Sequence, residues 1–307
     1  MKISILLRKI YKLTLPYCPG YHNLCVAMRS LFADKYDWIS RLPVKPGIIA
    51  SVKLPVAEFS MCCPERCSIA KKFFWTNGRR EPAEDRIALE LFLKFVGESE
   101  VVFDIGSNSG LFALAAAKHN SKAENVAFDI LVEAHNIFLE NIKLNGLEGK
   151  IDARLNGIGA KGVFNSPVKK ISSEMPTSLS VEDSVANGDS TSVPILTLDE
   201  ICVPKYLGKK ACFKIDVEGT EVDIFENGKE TLEKIRPVMV CEVLMRARDY
   251  ERYDKILDDF SYRKFLITAE GLEEYEHIVP NPKYKDWFFI VDKSFDPNTI
   301  KLDKIFS

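Results

Sequence analysis

Residues 101–117 constrain the chain more than any other stretch: VVFDIGSNSG running into LFALAAA. A short apolar run ends in an acid, a glycine-rich turn follows, and an alanine-rich run with helical spacing begins. The pattern predicts strand, tight turn, helix. Gly106 and Gly110 are expected to leave room where backbone approaches a ligand. The new helix would point its N-terminal amides at whatever sits above the turn. At the carboxyl edge of a parallel sheet, such a turn is where nucleotide-like ligands bind. The glycines are spaced G-x-x-x-G around Asn108, so this is not the G-x-G-x-x-G of dinucleotide binders. The Lys and Ser/Thr of a phosphate loop are absent too. Asp104, at the end of the strand, suits a cationic or hydroxyl-rich ligand better than a phosphate.

The same alternation continues downstream. Strands are expected at 125–129, 151–155, 193–198, 211–216, 238–242, 264–268 and 287–291. Helices are expected at 83–95, 135–144, 221–227, 229–235 and 249–259. This predicts an α/β fold with a mostly parallel sheet covered on both faces. Upstream, 48–54 and 56–61 can pair as a hairpin, and residues 1 to about 45 read as one or two helices. Residues 165–192 are rich in Ser, Asn, Asp and Thr and are long enough for a functional loop or lid.

Four strands end in a carboxylate: Asp104, Asp129, Asp216 and Glu242. In a parallel sheet these ends share one edge. Asp129 follows Asp104 at the distance where a second-strand acid reaches ribose hydroxyls; helix capping is its alternative role. The densest polar cluster is KIDVEGTE at 214–221. There Asp216 and Glu218 can orient a hydroxyl and accept its proton, or oxygen ligands can hold a divalent metal. Glu221 suits a helix cap equally well.

Net charge is −2, so no global field draws in nucleic acid. Of the eight cysteines, Cys202, Cys212 and Cys241 lie in or beside apolar runs, as buried thiols in a reducing, cytoplasmic compartment would. Cys62-Cys63-x-x-x-Cys67 can form a metal site, but its spacing fits no common zinc pattern and no second cluster partners it. In residues 1–13, Ile3, Leu6, Leu7, Ile10 and Leu13 can share one helical face, with basic residues elsewhere. That helix can lie peripherally on an anionic membrane or pack on the protein, and packing is favoured. The run is too short to span a bilayer.

The ordered set of motifs resembles the FkbM-type S-adenosylmethionine-dependent methyltransferases over about residues 78–292. The resemblance is carried by FDIGSNSG at 103–110, AFD at 127–129 with NIKLN at 141–145, TLD at 197–199, KIDVEGTE at 214–221, and Arg236-Pro237 with Glu242. One departure is Asp129, where the family more often has Glu followed by Pro. The resemblance implies a Rossmann-like methyltransferase domain at 78–307, with 1–77 as an N-terminal extension. It implies S-adenosylmethionine as cofactor and methyl transfer to a hydroxyl of a sugar, glycan or other small natural product. Asp104, Gly106, Asn108 and Gly110 are then expected at the methionine end of the cofactor. Glu81 and Ser107 are also expected against it, and Asp129 on the ribose. Asp216 and Glu218 are expected to face the acceptor hydroxyl, with no metal. The alternatives are Mg²⁺ held by Asp216 and Glu242, as in catechol-type enzymes, and a non-catalytic cofactor-binding scaffold.

Overall fold

A computed structural model describes residues 14–32, 42–79, 83–167, 190–245 and 249–300. Residues 1–13, Glu81 and most of the 165–192 segment lie outside the described residues. In chain order, helix α1 spans Tyr21–Phe32 and a hairpin follows, β1 (Ala50–Lys53) with β2 (Glu58–Met61). Then come α2 (Ser68–Trp75), α3 (Ala83–Val96), β3 (Val101–Ile105), α4 (Leu111–His119), β4 (Glu124–Asp129), α5 (Val132–Leu144) and β5 (Ile151–Leu155). A small sheet is built from β6 (Gly157–Ile158), β7 (Gly162–Pro167) and β8 (Ser190–Leu196). The chain continues through α6 (Leu198–Tyr206), β9 (Ala211–Ile215), α7 (Glu221–Glu226), α8 (Lys229–Lys234), β10 (Val238–Glu242) and α9 (Tyr250–Asp259). It closes with β11 (Arg263–Thr268), β12 (Gly271–Tyr275) and β13 (Asp286–Ile290).

The main sheet has eight strands in the order β12-β11-β13-β10-β9-β3-β4-β5. β5, β4, β3, β9 and β10 are parallel, and the last three pairings are antiparallel. Order reverses at β3, whose neighbours are β4 and β9, so the topological switch point lies over the glycine turn.

Both faces of the central strands are apolar, as a covered parallel sheet requires. The period of two sorts the residues cleanly. Val102, Ala127, Cys212, Val240 and Phe288 join a cluster with α3, α4 and α5. Val101, Phe103, Val126, Phe213, Met239 and Phe289 join a second cluster with α6 to α9. Phe103 stacks on Phe213 at 4.8 Å, and Phe95 of α3 meets Phe288 at 5.1 Å.

The hairpin and α2 belong to the first of these clusters. Phe59, Met61, Phe73 and Trp75 share it with Phe92, Leu114 and Phe138. Two asparagines of the NIKLN motif fasten the hairpin to α5. Asn145 exchanges bonds with Ser60 at 2.8 and 2.7 Å, and Asn141 accepts from the Cys62 amide at 2.7 Å.

Several elements depart from expectation, α2 among them, a helix over Ser68–Trp75. α6 replaces a plain connection: Thr197 caps it, accepting from the Glu200 amide at 3.1 Å, the S/T-x-x-E signature of a helix start. Pro204 within its last turns had masked it. β12 is an edge strand with mostly exposed polar residues. The ends of the expected 165–192 loop are strands, paired antiparallel from Gly162↔Ile195 to Pro167↔Ser190. Among the described residues no helix is long and apolar enough to cross a membrane.

Candidate active site

The turn after β3 is built from left-handed residues: Gly106 at φ +82°, Asn108 at +51° and Gly110 at +87°. The amides of Gly106 and Ser107 both donate to the Phe128 carbonyl at 2.9 Å, tying the turn to the end of β4. The glycines are required by the protein's own packing. A Cβ on Gly106 would lie 1.8 Å from the Asp216 carbonyl oxygen, and one on Gly110 would lie 2.0 Å from the Phe138 ring. The expected clearance for a ligand is thus a clearance for backbone at Gly106 and for a side chain at Gly110.

Above the turn opens a cavity of about 370 Å³, within the size range of small-molecule sites, roughly 300–1,000 Å³. Its apolar wall includes Ile105, Phe128, Ile130, Leu131, Ile158, Ile195 and Val217. Its polar groups are Asn108, Asn156, Asp129, Asp216, Glu218, Thr220 and Asp223, with the 157–160 backbone beside them. No Lys or Arg lines it among the described residues. Gly106, Asn108, Asp129, Asp216 and Glu218 therefore meet at one cavity. Asp104, Ser107 and Gly110 are not among its lining residues.

The difference between Asp104 and its neighbours follows from the pleat. Asp104 shares the face of Val102, so it points under α4, where one carboxylate oxygen accepts the Ala113 amide at 2.9 Å. It is 2% exposed, and burial pushes its carboxyl up to about 7. Asp129 faces the cavity and also braces the backbone around it, although the N-cap position of α5 is Leu131. It lines the cavity, while its oxygens accept the Asn108 amide and the Leu131 amide, each at 2.7 Å. Burial raises it to about 6 against those two amides. Each oxygen keeps a further lone pair for a ligand.

β9 positions the second half of the site. The Asp216 amide donates to the Ile105 carbonyl at 2.9 Å, extending the β3–β9 ladder by one residue. The chain then turns through Glu218 at φ +61° and Gly219 at +106° into α7. Glu221 is fully buried and accepts the Gly219 amide at 3.1 Å; burial pushes it up to about 7. It buttresses the turn that carries Glu218.

Two residues not anticipated for the site set its charge. Lys214 is 2% exposed; its ammonium lies 3.2 Å from Asp286, 3.9 Å from Asp216 and 5.3 Å from the Phe112 ring centroid. Burial works against this charge, but Asp286, Asp216 and Glu242 hold it protonated. Glu242 stands opposite Asp286 in the sheet, and burial with the charge of Asp216 raises it to about 9. Asp216, Glu218 and Glu242 have carboxylate oxygens within 4.8 Å of one another. The unanticipated wall at 156–160 had a signal in Gly157: a Cβ there would meet Ile130 at 2.9 Å and Ile195 at 3.1 Å.

The donor set fits S-adenosylmethionine. Its sulfonium is a cation, and this cavity offers carboxylates, no cationic side chain among the described residues, and an apolar wall for an adenine ring.

The family model for the methyltransferase FkbM domain matches residues 104–264, just over half of the chain. A tRNA (guanine(37)-N(1))-methyltransferase of Batrachochytrium dendrobatidis is 33% identical over 114 residues. That match takes in 35% of this chain and 22% of the relative, so the chain spans about a fifth of that protein's length. Among solved structures, the methyltransferase FkbM of Methylobacillus flagellatus KT is 13% identical, with a TM-score of 0.41 over 91% of this chain and 62% of that one. The O-methyltransferase of Bacillus cereus in complex with SAH is 14% identical, with a TM-score of 0.39 over 70% of this chain and 83% of that one. The chain belongs to the FkbM methyltransferase family.

Proposed function

We propose that the protein is an O-methyltransferase acting on a hydroxyl of a sugar, glycan or other small natural product. The observation that carries this reading is the meeting of Asp216 and Glu218 with Asn108 and Asp129 at one cavity. The cofactor supplies an electrophilic methyl group when bound. Gly106, Asn108 and Asp129 would hold the cofactor, Asp129 by accepting from the ribose. Asp216 or Glu218 would accept the acceptor's hydroxyl proton as the oxygen becomes a nucleophile. The rigid β9–α7 turn would orient that oxygen, because methyl transfer is an in-line displacement governed by alignment. Lys214 and Asp286 keep Asp216 in place through the ion pair beneath it. A carboxylate-lined cavity is a poor seat for a polyanion, which favours an uncharged acceptor over nucleic acid.

The test is label transfer from S-adenosylmethionine across a panel of sugars and hydroxylated small molecules. On the best acceptor, Asp216→Asn or Glu218→Gln should lower turnover by roughly a hundredfold or more, the scale of a positioned base. Cofactor affinity should change much less, since the loss lies in the transition state. Near-normal turnover in both variants would remove the base and leave positioning alone.

The cluster of Asp216, Glu218 and Glu242 favours a second reading, with Mg²⁺ bound between them. The nearby Lys214 ammonium already supplies a positive charge to this cluster. Turnover unaffected by EDTA is therefore expected; loss with EDTA and recovery with Mg²⁺ would support the metal reading.

A further inference from the structure

The connection from β2 to α2 carries Cys62, Cys63 and Cys67, and the fold divides them. Cys67 is buried at the start of α2, where its sulfur accepts the Ala70 amide at 3.4 Å. Cys62 and Cys63 turn outward toward Glu140 of α5, a residue far away in sequence. The Glu140 carboxylate lies 3.5 Å from the Cys62 sulfur and 3.8 Å from the Cys63 sulfur. All three donor atoms fall within 4.8 Å of one another.

Adjacent side chains on an extended chain point to opposite faces. Here Cys63 has φ +55°, a left-handed conformation that brings both thiols to one side. With metal–sulfur bonds of about 2.3 Å and metal–oxygen bonds of about 2.1 Å at tetrahedral angles, sulfur and oxygen sit roughly 3.6 Å apart. The two observed separations bracket that value. We propose that Cys62, Cys63 and Glu140 form a binding site for a thiophilic divalent cation of the zinc class, with solvent at the fourth position.

Binding would release the thiol protons to solvent. The hydrogen bond between the two thiols holds Cys63 below its ordinary range and pushes Cys62 above it, so the pair shares its protons until an ion displaces them. The site is partly open to solvent, which gives the ion an entry path. By contrast, at the cluster of Asp254, Asp258 and His277 the cation's place is taken by the Lys264 ammonium, at 2.7 and 2.6 Å from the two aspartates. The cysteine site also reaches the turn after β3. The Cys62 amide donates to Asn141 at 2.7 Å, and Asn141 donates to the Ser109 carbonyl at 2.9 Å. An ion there would brace the hairpin connection against α5, directly behind that turn.

The test is titration of the purified, reduced full-length chain with Cd²⁺, followed by its ultraviolet thiolate charge-transfer band, with Zn²⁺ competing. One equivalent should bind. The band should be lost in Cys62→Ser and in Cys63→Ser and kept in Cys18→Ser, where the exposed thiol has no such partners. Glu140→Gln, at an exposed position, should fold normally. It should weaken binding at least tenfold, the lower end of what even outer-shell partners cost. Zn²⁺ should raise the thermal midpoint of the wild type and not of Glu140→Gln. A band that persists in Cys63→Ser, or wild-type affinity in Glu140→Gln, overturns the site.

Discussion

Replacing Gly106 with alanine adds one methyl group where the structure has no space for it. The new Cβ would sit 1.8 Å from the Asp216 carbonyl oxygen and 2.7 Å from its carbonyl carbon, both backbone atoms. Relief requires the β3 turn and the residue after β9 to separate by roughly 1 Å, an overpacking cost of about 1–3 kcal/mol. The Asp216 amide bond to Ile105, at 2.9 Å, is strained in the process, at about 0.5–1.5 kcal/mol. The φ of +82° adds about 1 kcal/mol for a residue with a Cβ. Together these come to roughly 3–5 kcal/mol, a fall in the thermal midpoint on the order of 5–10 °C. Gly149 is the control. Its φ is +71°, but a Cβ there meets nothing within 4 Å, so Gly149→Ala should cost only about 1 kcal/mol. Thermal unfolding of the two variants separates backbone strain from contact. Titration with S-adenosylhomocysteine should show affinity lost in Gly106→Ala, because Asp216 and Asn108 move with the turn, and kept in Gly149→Ala. Equal midpoints for the two variants would refute the close approach of β3 and β9.

Asp104 gives a pH prediction. Its carboxyl is raised from 3.8 to about 7 in the folded protein, so between those values the folded state holds the proton and the unfolded state does not. Stability from this group is therefore present at low pH and lost as pH rises toward 7, by on the order of 4 kcal/mol in full. Asp104→Asn keeps an oxygen for the Ala113 amide and should remove this dependence. Midpoints measured at pH 5 and pH 8 should favour the variant more at pH 8, and a pH-independent difference would refute the assignment. Breaking the Lys214 ion pair by Asp286→Asn should destabilise the protein by about 3–5 kcal/mol, the range for a buried pair losing one partner. A midpoint near wild type in that variant would show that Asp216 and Glu242 suffice to hold the ammonium.

Much of the architecture was legible because burial on both faces leaves a plain signature. VVFDI, VMVCE and ACFKI read as short apolar runs ending at or just before an acid, and they are β3, β10 and β9. α6 is hidden by Pro204 and by its lack of an apolar stripe, and its only local signal is the cap Thr197-x-x-Glu200. β12 escaped because an edge strand with exposed Glu273 and Glu274 carries little apolar pattern. At the site, the edge shared by the four acids could be inferred from parallel topology, but not which way each side chain turns. Asp104 and Asp129 look alike in sequence, yet one lies under a helix and the other faces the cavity. Lys214, Asp286 and the Cys63–Glu140 approach depend on long-range pairing, which no local spacing encodes.

The central claim is that the cavity over the glycine turn, lined by carboxylates and free of cationic side chains among the described residues, holds S-adenosylmethionine through Asp129. Calorimetry with S-adenosylhomocysteine and with NAD on the wild type and Asp129→Ala tests it most directly. S-adenosylhomocysteine should bind and NAD should not. Asp129→Ala should weaken binding by about 1.5–3 kcal/mol as charge-assisted hydrogen bonds are lost. Undiminished affinity in a folded Asp129→Ala variant, or no binding to the wild type, would contradict it.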